Sequence, residues 1–320
     1  MFQADFVGGE WVDLQLLPYG PVEFEPALMA LHYGQSIFEG MKAFRTIDNE
    51  VVLFRPRENF ERFNISADRM CMPATTEEVF MDGLTRLIAM DREWIPSLDN
   101  YSLYIRPFMY ATDQFLGVRP SDTYRFSIIC SPAGAYYSKP LRVKIETHYT
   151  RSARGGIGYA KAAANYGLSL LPTKLAQKEG FDQIIWTDAA NHELIEEAGT
   201  ANFMFVIDGN LVTPPVKDTI LKGITRDSII TLARSWGMDV QEREVSVSEL
   251  VEAMNSGRLQ EAFAVGTAAT VTHISEIGYE GKVYILPAVE KREVAPKILK
   301  TLNDIRYGRA EDQFGWLVRV

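Results

Sequence analysis

Residues 148–158 read HYTRSARGGIG, a stretch short of large apolar side chains and dense in Arg and Gly. Such a segment cannot hold a core together, so it reads as a connection and limits how the chain packs on either side of it. The 320 residues exceed the size at which one hydrophobic core keeps growing, and at 47% apolar they suffice for two. The sequence therefore predicts a small N-terminal α/β domain over 1–148, a connection over 149–158 and a larger C-terminal domain over 159–320.

Hydrophobic patterning fills both parts with mixed α and β structure. YSLYIRPF (101–108), YRFSIICS (124–131) and LRVKIETH (141–148) are rich in β-branched and aromatic residues and bounded by Pro, Asp and Gly, which predicts strands. In NFERFNISADRM (59–70), Phe60, Phe63, Ala67 and Met70 recur at three and four, the stripe of an amphipathic helix. Beyond the connection, YGLSLLPTKLAQKEG has helical spacing and closes on Gly180, with Pro172 expected to kink the helix or delay its start. QIIWTD reads as a strand and FMFVIDGNLVTP as a hairpin turning at Asp-Gly-Asn. ITRDSIITLARSWG predicts a helix stopped by Gly237, and SVSELVEAMNSG one that opens on a Ser246/Glu249 capping box and ends at Gly257. EAFAVGTAATVTHI reads as a strand interrupted by Gly-Thr-Ala-Ala, where small residues mark close approach of a ligand or another backbone.

Several function classes are disfavoured. A formal charge of −9 without a cluster of Lys and Arg argues against nucleic acid or an anionic membrane and favours small-molecule partners. No apolar run approaches the roughly 18 residues of a membrane span, and MFQADFVGGEW lacks the pattern of a signal peptide, so a cytoplasmic protein is expected. Cys71 and Cys130 form no CxxC pair and lie in apolar surroundings, RMCMP and SIICSP, as small core residues would. The histidines, His32, His148, His192 and His273, have no metal-ligand spacing, and GxSxG is absent; neither a metal centre nor a hydrolytic triad is expected. Gly156 and Gly158 supply GxG, but Lys161 stands where a dinucleotide fingerprint needs Gly or Ala.

Lys161 itself is crowded by small residues in GGIGYAKAAANYG. A lysine amine condenses with an aldehyde when neutral, and glycines beside it leave room for a flat ring. Downstream stand EEAGTAN (196–202), KGITRD (222–227) and VGTAAT (265–270). A carboxylate such as Glu197 could pair with a protonated ring nitrogen, Tyr166 could bond a ring hydroxyl, and a helix start at Ile224 and Thr225 could receive a phosphate on its amides. Together these groups suit pyridoxal 5′-phosphate.

With these blocks in view the chain resembles the class IV, fold-type IV aminotransferases, and among them the branched-chain amino acid aminotransferases, over essentially its whole length. LHYGQSIFEGMKAF is similar to the family's N-terminal signature, YIRP (104–107) to its substrate strand and GGIGYAKAAANYG to its lysine block; EEAGTANFMF, LKGITRDSI and VGTAAT follow in the family's order. One departure is Ala164, where the family usually has Gly. The resemblance implies an α+β fold with a cofactor-binding C-terminal domain. It also implies transfer of an amino group between leucine, isoleucine or valine and 2-oxoglutarate. A D-amino acid aminotransferase, an aminodeoxychorismate lyase and a silent pyridoxal-phosphate-binding relative are the alternatives; YIRPFMY lacks the histidine that the first would place after the substrate strand.

By the same resemblance Lys161 is the catalytic residue that binds the cofactor, Arg62 and Thr267 join Ile224 and Thr225 at its phosphate, and Tyr166 meets its phenolic oxygen. Glu197 is preferred to Glu196 as the ring-nitrogen partner because the family's Glu-x-Gly pattern places it there. Tyr33, Phe38 and Tyr104 imply the wall of the side-chain pocket, Arg106 the partner of glutamate's second carboxylate, and Thr200, Ala268 and Ala269 the contacts of the α-carboxylate. Alternation along a strand puts Tyr104 and Arg106 on one face. Leu116 and Val118 match a loop that closes over a partner subunit's pocket, which implies a homodimer or higher homo-oligomer.

Overall fold

The computed structural model describes residues 1–134, 139–268 and 270–320. The chain divides into two compact units, Met1–Ala135 with Ala160–Ala164 and Asn303–Val320, and Tyr136–Tyr159 with Asn165–Leu302. The Arg- and Gly-rich break at 149–158 lies within the second unit, while the short segment around Lys161 belongs to the first.

The first unit contains strands β1 (Phe2–Val7) and β2 (Glu10–Leu16), helix α1 (Met29–Tyr33), strands β3 (Ser36–Phe38), β4 (Met41–Arg45) and β5 (Val51–Phe54), helices α2 (Pro56–Arg69) and α3 (Gly83–Met90), and strands β6 (Ser102–Ala111) and β7 (Tyr124–Ala133). Their sheet runs Leu317–Arg319, β5, β4, β6, β7, β1, β2, with β3 also on β6. Strand β6 shows the period of two: Leu103, Ile105 and Met109 are fully buried, while Tyr104, Arg106, Phe108 and Tyr110 line the half-open face. Helix α2 starts on Pro56, whose missing N–H costs nothing in a first turn. It buries Phe63 at 5.4 Å from both Phe80 and Phe126. Each such ring removed from water stabilises the unit by about 1.5–3 kcal/mol.

The second unit holds β8 (Leu141–Ile145), α4 (Ala163–Lys178) from Asn165 on, β9 (Gln183–Thr187), β10 (Ile195–Ala198), β11 (Asn202–Ile207), β12 (Asn210–Thr213), α5 (Ile224–Ser235), β13 (Val240–Glu242), α6 (Val247–Ser256), β14 (Leu259–Gly266), β15 (Thr270–Tyr279), β16 (Lys282–Ile285) and most of α7 (Val294–Arg306). Strands β10, β9, β8, β15, β14 and β11 follow one another, and β10 also pairs with β11, so six strands close on themselves; β12 and β13 extend from β11, and β16 from β15. Closure leaves none of these six strands as a free edge, and Ile145, Ile185, Ile195, Phe203, Phe205 and Ile274 form one buried cluster. The N-terminus of α7 is capped by Glu261, which accepts from the N–H groups of Glu293, Val294 and Ala295, each at 2.8 Å.

Three local expectations change. Gly266 pairs with Thr270, so the expected single strand is two, β14 and β15, with Thr267 and Ala268 in the turn after β14. Strand β14 is buried along nearly its whole length and β15 has no exposed residue, which weakens the alternation that would have separated them. Pro172 lies inside α4 and does not delay its start; the carbonyl it leaves without an N–H partner belongs to Leu168, which is exposed to water. Cys71 is exposed rather than core, because it follows the end of α2 in a left-handed turn, φ 52°, that carries it out of the apolar stripe. Cys130 is half-buried, and burial pushes its thiol up to about 12. Among the described residues no helix is long and apolar enough to cross a membrane.

Candidate active site

Lys161 is held by its backbone. Its N–H donates to Ser66 Oγ on α2 at 2.9 Å, its carbonyl accepts from the Phe38 N–H at 3.0 Å, and Ala162 bridges to Ile37. The lysine thus continues the pairing of β3, and its Nζ reaches 4.9 Å from the centre of the Phe38 ring. The guanidinium of Arg106 lies 4.5 Å from the same ring, and Arg106 Nη2 donates to the Tyr104 hydroxyl at 2.8 Å. Arg106 Nε is buried with no hydrogen-bond partner among the described residues. Gly40 makes this arrangement possible, since a Cβ there would overlap the Tyr104 hydroxyl. Tyr33 is more exposed, at the end of α1, with its ring 6.2 Å from that of His32.

Beneath these groups lies a buried ion pair. Glu39 is fully buried; Arg62 donates to it through Nε at 2.7 Å and Nη2 at 2.8 Å, Asn59 Nδ2 at 2.7 Å and the Gly40 N–H at 3.1 Å. Burial alone would push the Glu39 carboxyl up, but the Arg62 guanidinium, the charge of Lys161 and the Asn59 amide outweigh it and hold the carboxyl below its ordinary value.

In the second unit Glu197 is buried on β10. Its Oε1 meets Arg151 Nη1 at 2.7 Å and accepts from the Leu221 N–H at 3.3 Å, and its Oε2 accepts from Asn202 Nδ2 at 3.0 Å. Glu196, next in the chain, accepts from Thr219 Oγ1 at 2.6 Å; burial pushes its carboxyl up, against the hydroxyl bond and the more distant charge of Arg151. Helix α5 begins at Ile224 behind Gly223, which offers no capping side chain, and Thr225 in its first turn is buried. A Cβ at Gly223 would overlap Asn202 Oδ1. Tyr166 is half-buried in the first turn of α4, and Ala164 just before it is exposed, so its methyl group is not forced into a packed interior. Thr200 lies in the exposed link between β10 and β11, Thr267 and Ala268 in the turn after β14, and Ala269 outside the described residues.

The glycines before Lys161 have a backbone role. A Cβ on Gly156 would come within 2.8 Å of the Ala153 carbonyl, and one on Gly158 would overlap Ser152 Oγ. They permit a tight path of the chain, where the sequence alone pointed to space for a ring.

In the loop after β6, Asp113 accepts from Arg119 Nη2 at 2.8 Å, the Asp122 N–H at 3.0 Å and Thr123 Oγ1 at 2.7 Å. Arg119 stands 4.9 Å from the Phe115 ring. The clamp leaves Leu116 and Val118 66% and 88% exposed.

Comparison with known proteins shows the family. The family described as amino-transferase class IV matches residues 36–277. The chain belongs to the class IV aminotransferases. It is 42% identical over 324 residues to branched-chain-amino-acid aminotransferase 2 of Bacillus subtilis (strain 168), covering 100% of this chain and 89% of that one. Among solved structures, the Escherichia coli branched-chain amino acid aminotransferase superposes with a TM-score of 0.80 at 29% identity, covering 99% of each chain. The T.th. branched-chain amino acid aminotransferase with pyridoxamine 5′-phosphate gives 0.78 at 26%, covering 98% of this chain and 97% of that one.

For a class IV aminotransferase the informative additions are Glu39, Asn59, Ser66, Arg151 and Asn202, none of which the sequence reading singled out. Glu39 had a readable signal: a lone carboxylate in the apolar run SIFEGMKAF requires a buried cation. Arg151 had none, since an Arg in HYTRSARGG reads as a solvated linker residue.

Proposed function

We infer that the chain catalyses reversible transfer of an amino group between branched-chain L-amino acids and 2-oxoglutarate, with pyridoxal 5′-phosphate as cofactor. The observation that carries this reading is the Phe38 ring flanked by the Lys161 amine at 4.9 Å and the Arg106 guanidinium at 4.5 Å. An amine beside an apolar wall with one arginine suits two substrate types, aliphatic amino acids and glutamate. The full-length likeness to branched-chain aminotransferases supports the same choice.

Each unit offers donors of the kinds the cofactor needs: the first a primary amine and a buried arginine fixed by a carboxylate, the second a helix start behind a glycine that a Cβ would fill and a buried carboxylate paired with a guanidinium. When bound, pyridoxal 5′-phosphate supplies an aldehyde that captures amines and a ring that accepts the charge left when substrate Cα loses its proton. Lys161 would hold the cofactor and serve as the acid and base for the proton at substrate Cα. Arg62, the Thr267 hydroxyl and the amides of Ile224 and Thr225 bind the phosphate, where a helix N-terminus favours negative charge. Tyr166 hydrogen-bonds the phenolic oxygen, and Glu197 holds the ring nitrogen's proton.

Tyr33, Phe38 and Tyr104 exclude water around an aliphatic side chain. Arg106, with its orphaned Nε, takes the second carboxylate of glutamate, and Thr200 with the amides of Ala268 and Ala269 holds the α-carboxylate. We place the enzyme in the cytoplasm as a homodimer or larger assembly, with Leu116 and Val118 reaching a partner subunit's site. The test is a panel of L- and D-amino acids against 2-oxoglutarate with glutamate measured. Leucine, isoleucine and valine should serve as donors; preference for a D-amino acid would overturn the assignment.

A further inference from the structure

We propose that Arg151 is the positioning residue that keeps the Glu197 carboxylate ionised and fixed for the cofactor's ring nitrogen. The proposal rests on the role given to Glu197 above. Both side chains are almost entirely buried, 8% and 4% exposed, at 2.7 Å. A carboxylate taken out of water without a partner favours its neutral form, and a neutral carboxylic acid loses the charge that holds a proton on a ring nitrogen. Glu196 illustrates the alternative one residue away: it is buried to a similar degree, has a hydroxyl as its near partner, and is pushed up. The guanidinium gives Glu197 the opposite environment, a charged donor in place of a hydroxyl.

The orientation of Arg151 is set by the backbone. Its Nη1 donates to the Thr219 carbonyl at 3.0 Å and its Nη2 to the Gly158 carbonyl at 3.2 Å, so the plane of the fork is fixed. A Cβ on Gly158 would come within 2.6 Å of that Thr219 carbonyl. The third glycine of GGIG therefore lets residue 158 approach closely enough for one arginine to bridge both carbonyls and Glu197. Two further donors, Asn202 Nδ2 and the Leu221 N–H, are neutral. Arg151 is a cation in direct contact with Glu197, and a less basic Glu197 leaves the shared proton on the ring.

The experiment is 15N NMR of the holoenzyme loaded with ring-15N-labelled cofactor, for the wild type, R151Q, R151K and E197Q, with circular dichroism to verify folding. The wild type should give a protonated-ring resonance, R151Q a resonance moved towards neutral pyridine, and R151K should restore the protonated position in whole or in part. A wild-type resonance in R151Q, or an R151K spectrum indistinguishable from a shifted R151Q, overturns the proposal. E197Q separates the two layers. If it keeps the protonated resonance, the role of Glu197 itself is wrong; if it shifts while R151Q does not, only the role of Arg151 falls. Should R151Q fail to fold, the wild-type apoprotein decides. With 13C-labelled glutamate carboxyls, Glu197, assigned through E197Q, should still be mainly ionised at about pH 4.3, where an unperturbed glutamate is half protonated. A carboxyl already half protonated at or above that pH overturns the proposal.

Discussion

At Arg106 the guanidinium faces the Phe38 ring and donates to the Tyr104 hydroxyl, which fixes a positive charge in otherwise aromatic surroundings. An aliphatic substrate gains little from that charge, whereas the second carboxylate of glutamate needs it. Arg106→Leu should therefore weaken use of 2-oxoglutarate about 10- to 100-fold more than use of leucine, the range for hydrogen bonds to a charged group. Values of kcat/KM for both substrates check this, and equal losses would make the arginine structural. Glu39 poses a different problem, because Arg62 and Glu39 are both buried and each compensates the other. Glu39→Gln leaves a guanidinium without its carboxylate and should cost about 3–5 kcal/mol of stability at neutral pH, read by denaturant unfolding. The sign of the pH effect follows from the lowered folded value. The unfolded chain binds the proton first, so the stabilisation is complete above the ordinary value of 4.5 and is lost as pH falls through the folded one. The variant should lack that part of the acid dependence; an unchanged acid profile would assign it to other carboxylates.

Elements with strong local signals were legible before any coordinates. The Ser246 hydroxyl accepts from the Glu249 N–H at 3.0 Å and Gly257 ends α6 at φ 74°, as a capping box and a terminal glycine require. The Asp208-Gly209 turn has both residues at positive φ, which fixes the β11–β12 hairpin. The β14–β15 hairpin was hidden because strands buried along both faces lose their alternation. Among the candidate site residues, Lys161 and Arg106 carry motif signals, whereas Glu39 and Arg151 pair with Arg62 and Glu197, 23 and 46 positions away, which periodicity cannot join. The start of α5 shows how one backbone position serves both element and site. Asn202 fills the space a Cβ would take at Gly223, and from there donates to Glu197 Oε2 and to the Leu221 carbonyl, each at 3.0 Å. Gly223→Ala should force Asn202 aside, lower stability by about 1–3 kcal/mol as overpacking does, and reduce cofactor affinity with it. Thermal melting and equilibrium dialysis against the cofactor test the two effects, and an unchanged affinity would separate the helix start from the site.

For the whole molecule, the proposed homo-oligomer puts the loop of the first unit to a direct test. Asp113 ties together Arg119, Asp122 and Thr123, and a Cβ at Gly117 would overlap the Phe115 ring, so the loop has little freedom while Leu116 and Val118 point into solvent. A clamp that holds two apolar side chains in water makes physical sense when a second copy covers them. If each loop completes the partner subunit's site, replacing both residues by serine should cut kcat/KM for leucine, with each lost apolar contact contributing about 1–3 kcal/mol. If Lys161 holds cofactor and proton as proposed, Lys161→Ala should abolish transamination in its own subunit. The two defects then lie in different chains' contributions to a site. In a mixed dimer, the site with an intact Lys161 receives its loop from the Lys161→Ala chain, so mixing an inactive with a weakened protein should raise activity above the weakened protein alone. Subunit exchange followed by leucine turnover, with sedimentation confirming that the dimer persists, reads this directly. Activity that only falls on mixing would mean that Leu116 and Val118 act within their own chain or not at all.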